Sequence, residues 1–141
     1  MDAPHPKSPG LAAGVTEPMI RDLVHTFYAK ARLDPLLGPI FNAKVHDWDT
    51  HLATLCRFWS SVTLLTGTYK GRPMVAHAAL PEIDDPHFAR WLTLFEETAI
   101  AICPPAAAHL FIDRSQRIAY SLKQGIDIQR GRGPASGLGT P

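Results

Sequence analysis

Apolar side chains recur every three or four residues in four segments of this chain, and this spacing decides the fold class. Such a period places the apolar side chains on one face of an α-helix. No segment alternates apolar and polar residues with the strand period over a useful length. Proline-containing breaks separate the segments, because proline disfavours the helical conformation of the residue before it. The sequence therefore predicts an all-α fold.

The predicted helices begin and end at residues suited to helix termini. Thr16, Asp47 and Asp85 precede three of the helices, and their side-chain oxygens can accept the first free backbone N–H groups. Gly67 is expected to end the second helix and Gly125 the fourth, which starts near residue 105. Residues 36–41, which contain two helix-breaking residues in a row, are expected to form a tight connector.

The two ends of the chain differ in composition from its middle. Residues 1–14 and 128–141 are rich in glycine and proline and lack an apolar period. Such segments bury too little apolar surface to offset the entropy lost on ordering. We therefore expect two disordered tails around a single domain of residues 15–127.

Charge and cysteine content exclude several classes of protein. With 14 basic and 13 acidic side chains, the net charge of +1 gives no reason to expect binding to nucleic acid or to an anionic membrane. No apolar run approaches the roughly 18 residues that a membrane span requires, and the proline-rich start does not resemble a signal peptide. Cys56 and Cys103 do not form a CxxC pair, so free thiols and a cytoplasmic location are expected.

One of the seven histidines stands apart from the others. His77 lies in an uncharged segment of small apolar residues between Pro73 and Pro81. A buried imidazole there is either satisfied locally or bound to a metal ion, and the residues alone leave both readings open. The remaining histidines, apart from His51, are expected at the surface or at helix caps. They are His5, His25, His46, His87 and His109.

Three further polar rings lie on apolar helix faces. Tyr28, His51 and Trp91 each occupy the inner stripe of a different predicted helix. They either bond to backbone groups in an ordinary aromatic core or serve as polar points of one site. Other chemistries lack their motifs: no paired Glu-x-x-His, glycine-rich phosphate loop or GxSxG element is present. His46-Asp47 with His51 lacks the further ligands of a metal cluster, and Cys56 is read as an inert thiol.

Taken in order, five blocks of the sequence resemble group III truncated haemoglobins. They are FYAKARLDPLLGPIF at 27–41, DWDTH at 47–51, FWSS at 58–61, GTYKGRPMVAHAAL at 67–80 and HFARWLTLFEET at 87–98. The resemblance implies a globin-like fold of two helices packed on two around a haem. It also implies His77 as the iron ligand and Tyr28, His51 and Trp91 as the residues that face a bound ligand. The implied pocket wall is formed by Phe41, Leu55, Phe58 and Trp59.

The resemblance also sets the expected function. It implies non-covalent haem b, since no CxxCH motif is present, with O₂, NO, CO or peroxide as the small molecule bound. Arg72, Lys44, Lys70 and Tyr69 are candidate donors to the haem propionates. Redox turnover would need a separate reductase, because the chain has no flavin or NAD motif. The alternative from another class is a cofactor-free helical interaction module.

Overall fold

The computed structural model of the chain describes residues 3–71, 83–129 and 131. The helices in these ranges are α1 (Pro9–Ala13), α2 (Glu17–Ala31), α3 (Gly38–Lys44), α4 (Trp48–Leu64), α5 (Asp85–Ile102) and α6 (Pro105–Gln129). None of the helices in the described ranges combines the length and apolar character needed to cross a membrane. The all-α prediction is confirmed.

The four long helices form two pairs, α2 with α4 and α5 with α6, and the pairs share one core. α2 contacts α4 and α5, α5 packs along α6, and α4 also reaches α6. Apolar side chains from all four helices fill the space between them, and Phe27, Leu64, Phe95 and Phe111 are essentially inaccessible to solvent. This arrangement is the two-on-two helical sandwich that the resemblance implied.

Helix starts agree with the sequence more closely than helix ends do. Thr16 and Asp47 cap α2 and α4 by accepting backbone N–H groups, as predicted. At α5 the cap lies one residue earlier than predicted: Asp84 accepts from the first turn, and Nδ1 of His87 accepts in return from the N–H of Asp84 at 3.0 Å. His87 is therefore a capping histidine, as expected.

Three helix boundaries correct the predictions. Residues 36–41 do not form a mere connector, because α3 begins at Gly38. α4 ends at Leu64, because Leu65 adopts the left-handed conformation with φ 54°; the glycine expected to end the helix lies two residues further on. α6 continues past Gly125 to Gln129, because Ile126 is 1% exposed and its burial outweighs the low helix propensity of glycine.

The first residues of the chain pack on the domain, unlike the disordered tail expected there. Ser8 caps α1 through a bond from the N–H of Leu11 at 3.2 Å and is 3% exposed. The N–H of His5 donates to the carbonyl of Leu64 at 2.9 Å. A Cβ atom on Gly10 would lie 2.4 Å from the carbonyl oxygen of Thr63, so the absent side chain permits this close approach.

Candidate functional site

Tyr28 is the polar group buried most deeply at the predicted site. It lies on α2 with 6% of its surface exposed. Burial raises the pKa of Tyr28 to about 12, although a hydrogen bond from Trp91 acts in the opposite direction. The phenol therefore stays protonated at neutral pH and can act as a hydrogen-bond donor.

Trp91 is held in place by one ring of its own helix and one ring of α2. Its indole stacks on Phe95 with centroids 5.0 Å apart and planes 6° apart, and Phe27 meets it edge to face at 5.2 Å. The indole N–H bonds to the phenol oxygen of Tyr28. An indole N–H can only donate, so the O–H of Tyr28 remains able to donate to another group.

His51 and Phe41 also contact the ring of Tyr28. The imidazole of His51, in the first turn of α4, lies 6.1 Å from the Tyr28 ring, centroid to centroid. The ring of Phe41, on α3, meets that of Tyr28 edge to face at 5.5 Å. The described residues therefore bring together Tyr28, His51, Trp91 and Phe41, which the sequence assigned to a single site.

Trp48 is a neighbour of this site that the sequence analysis did not assign to it. Its ring lies 5.5 Å from His51, 6.1 Å from Tyr28 and 6.3 Å from Phe41. Part of this placement could have been predicted from the sequence, because a spacing of three residues places Trp48 and His51 on one helix face. We call Tyr28, Phe41, Trp48, His51 and Trp91 the distal cluster.

The predicted wall residues divide into two groups. Leu55 and Phe58 on α4 are half-buried, as is Phe41, so large apolar side chains remain partly open. Trp59 is 2% exposed and lies in the core, stacked on Phe95 at 5.1 Å behind Trp91. It supports the distal cluster through that stack.

The predicted iron ligand lies outside the described residues. His77 and Arg72 both fall in the range 72–82, so the structure does not place them. Of the other predicted propionate donors, Lys44 and Lys70 are exposed and Tyr69 packs on Phe58 at 5.2 Å. The described ranges hold no cluster of three His, Cys, Asp or Glu side chains suited to a metal ion.

The residues present are compatible with a haem. A porphyrin needs apolar side chains against its faces, and the partly open Phe41, Leu55 and Phe58 offer such a surface. A molecule bound to the iron needs a donor in a dry environment, which buried Tyr28 supplies. Within the described part of the chain, nothing charged is buried in the distal cluster that would oppose this use.

Comparison with known proteins identifies the family. No family model matches the chain. The chain is 34% identical over 109 residues to a group 3 truncated haemoglobin of Campylobacter jejuni, which covers 74% of this chain and 86% of that protein. It is also similar to the crystal structure of a group III truncated haemoglobin from Campylobacter jejuni, with a TM-score of 0.74, 33% identity and coverage of 77% of this chain and 89% of the other. The chain therefore belongs to the group III truncated haemoglobins and is a haem-binding globin.

Proposed function

We propose that this globin binds haem b non-covalently through His77 and that Tyr28 holds a diatomic ligand in the distal cluster. The observation that carries the second part is the protonated, buried phenol of Tyr28, whose oxygen accepts from Trp91. Haem supplies an iron atom with one coordination position open to O₂, NO or CO. Family membership favours this function over a cofactor-free helical interaction module.

The partners of the cofactor follow from the same surfaces. Phe41, Leu55 and Phe58 would contact the porphyrin, and Lys44, Lys70, Tyr69 and Arg72 are candidates to reach its propionates. Burying roughly 500 Å² of porphyrin at about 25 cal/mol per Å² would contribute on the order of 10 kcal/mol, as an upper bound. Free thiols at Cys56 and Cys103 support the cytoplasm as the location.

Tyr28→Phe tests the ligand-holding role. A hydrogen bond from a neutral donor to a partly charged acceptor contributes about 1.5–3 kcal/mol, and its loss raises the O₂ dissociation rate about ten- to a hundredfold. Tyr120→Phe is the matched control, because Tyr120 is 61% exposed on α6. Stopped-flow displacement of O₂ by CO measures the rate. An unchanged rate in Tyr28→Phe would transfer the role to Trp91 or His51.

A peroxide-directed activity is a second candidate, favoured by the presence of His51 beside Tyr28 at 6.1 Å. An imidazole titrates near neutral pH, so it can take a proton from one peroxide oxygen and return it to the other. Three polar rings over the ligand would also slow O₂ release, which suits a carrier poorly. Repeated turnover draws electrons from a separate reductase.

Peroxide turnover with a reducing dye tests this activity. Wild type is compared with free haem, with His51→Leu and with His46→Leu, a control in the exposed α3–α4 connection. Turnover above free haem that falls only in His51→Leu supports the activity. Turnover equal to free haem removes it. A His51→Leu variant with normal turnover and altered ligand entry makes His51 a gate.

A further inference from the structure

Trp48 covers the distal cluster at the junction of three helices. As the first residue of α4, it places a half-buried indole against rings from α2, α3 and α4 itself. Those rings are Tyr28 at 6.1 Å, Phe41 at 6.3 Å and His51 at 5.5 Å, between centroids. Trp48 therefore contacts each of the other residues of the distal cluster except Trp91.

A cation lies on the outer side of this indole. The guanidinium carbon of Arg32 is 4.3 Å from the Trp48 ring centroid, and Arg32 is exposed. The backbone of Arg32 is fixed: its N–H donates to the carbonyl of Tyr28 at 3.0 Å, and its carbonyl accepts from Asn42 at 3.1 Å. Because the backbone of Arg32 is held by these bonds, only its side chain can move to uncover Trp48.

Solvent exposure increases from the core residue Phe27 through Tyr28 and Trp48 to Arg32. Phe27 is 0% exposed and Tyr28 is 6% exposed, whereas Trp48 is half-buried and Arg32 is exposed. Trp48 thus lies against the buried ring of Tyr28, and Arg32 lies against Trp48 nearer to solvent. A small ligand that reaches Tyr28 from this side must pass both.

We propose that Trp48, held down by Arg32, gates ligand entry to the distal cluster. The proposal rests on the proposed function, because it assigns a route to the ligand that Tyr28 holds. Removing the cation frees the indole to swing outward, so entry becomes faster. Removing the indole opens the same side permanently.

Rebinding of CO after flash photolysis measures entry directly. Arg32→Gln removes the charge and keeps much of the length of the side chain. It raises the CO association rate about two- to fivefold, the population change expected on loss of an exposed cation–π contact. Trp48→Ala raises the rate at least as much, and adding Arg32→Gln to it has no further effect. Arg57→Gln is the control, since Arg57 is exposed on α4 and bonds to Thr54, and no ring among the described residues stacks with its guanidinium.

Fluorine NMR reports the gate independently of the rates. In the diamagnetic CO complex of protein labelled with 5-fluorotryptophan, the three tryptophans give three signals, assigned with Trp→Phe variants. Arg32→Gln moves the signal of Trp48 and increases its response to exchange of H₂O for D₂O, while Trp59 and Trp91 keep their signals. Trp48→Phe serves where Trp48→Ala fails to fold.

The outcomes separate the gate from the function beneath it. Unchanged CO association in both Arg32→Gln and Trp48→Ala overturns the gate, even where Tyr28→Phe accelerates O₂ release as proposed. Faster association in Trp48→Ala alone overturns the part of Arg32. Failure of the wild type to give a CO complex overturns the proposed function itself and the gate with it.

Discussion

Removal of the Asp34 carboxylate should loosen the junction between the two helix pairs. Asp34 follows α2 and has only 3% of its side chain exposed. Its carboxylate accepts the N–H groups of Leu36 and Leu37, each at 3.0 Å, and Nε of Arg90 at 2.7 Å. It therefore connects the end of α2 and the start of α3 to α5. The residue that it binds on α5, Arg90, directly precedes Trp91.

The cost of Asp34→Ala follows from these bonds. Each backbone N–H left without its acceptor costs about 1 kcal/mol, as in the loss of a helix cap. The bond to Arg90 adds about 0.5–1 kcal/mol, reduced because that arginine is 43% exposed and screened by solvent. The free energy of unfolding should fall by about 2–3 kcal/mol, which lowers Tm by roughly 6–10 °C in a domain of this size.

The pH dependence gives the sign of the charge effect. Desolvation raises the pKa of Asp34, but the bonds from Leu37, Arg90 and Leu36 outweigh it and leave the pKa below its usual value. The folded state therefore favours the ionised form, and this stabilisation is complete above the unfolded pKa of about 3.9. It is lost as the pH falls through the lower folded value, so wild type and Asp34→Asn should converge in acid.

Urea unfolding measures these contributions to the free energy of unfolding. The proteins compared are wild type, Asp34→Ala, Asp34→Asn, Arg90→Leu and the double variant Asp34→Ala/Arg90→Leu. Arg117→Leu is a control ion-pair variant, since Arg117 pairs with Asp113 on α6 and is 72% exposed. The control should change stability by less than about 0.5 kcal/mol. A loss below about 0.5 kcal/mol in Asp34→Ala, or additive effects of Asp34→Ala and Arg90→Leu, would refute the tie.

Two further predictions concern packing and thiol chemistry. Gly10→Ala should destabilise the domain by about 1–3 kcal/mol, because the added methyl group meets the Thr63 carbonyl. Leu11→Ala, at a 48% exposed site on α1, is the control in urea unfolding. Equal stability of Gly10→Ala and wild type would mean that the close packing of α1 on α4 does not require glycine at this position. Burial raises the pKa of Cys103 to about 11, so iodoacetamide at pH 8 should modify it about a hundredfold more slowly than a free thiol; modification at the free-thiol rate would contradict its burial.

The four long helices could be predicted because each carries its own apolar period and three of them carry a start signal within one residue of the observed cap. The short ones could not. α1 has five residues and α3 has seven, too few for a period to show. Contacts with residues distant in the sequence stabilise them, such as the contact of Gly10 with Thr63. The Ser8-Pro9 pair at the start of α1 was the available local signal, since serine caps helices and proline favours the first helical position.

The site was predictable to the extent that helix faces and family resemblance determine it. Tyr28, His51 and Trp91 lie on separate helices, and only the resemblance joined them before the fold was known. Trp48 was visible on the same helix face as His51, but its contacts with Tyr28 and Phe41 depend on how α2 and α3 pack against α4. The contact of Arg32 with Trp48 depends on the end of α2, which the spacing of apolar residues does not specify.

Haem binding through His77 is tested most directly by the absorption spectrum of the purified ferrous protein. Wild type should show a Soret band typical of a five-coordinate histidine-ligated haem. His77→Ala should lose that spectrum and regain it when imidazole is added, whereas His109→Ala, altered at an exposed residue of α6, should keep it unchanged. A wild-type spectrum that persists in His77→Ala without imidazole would contradict the assignment and direct the search to His46 and His51.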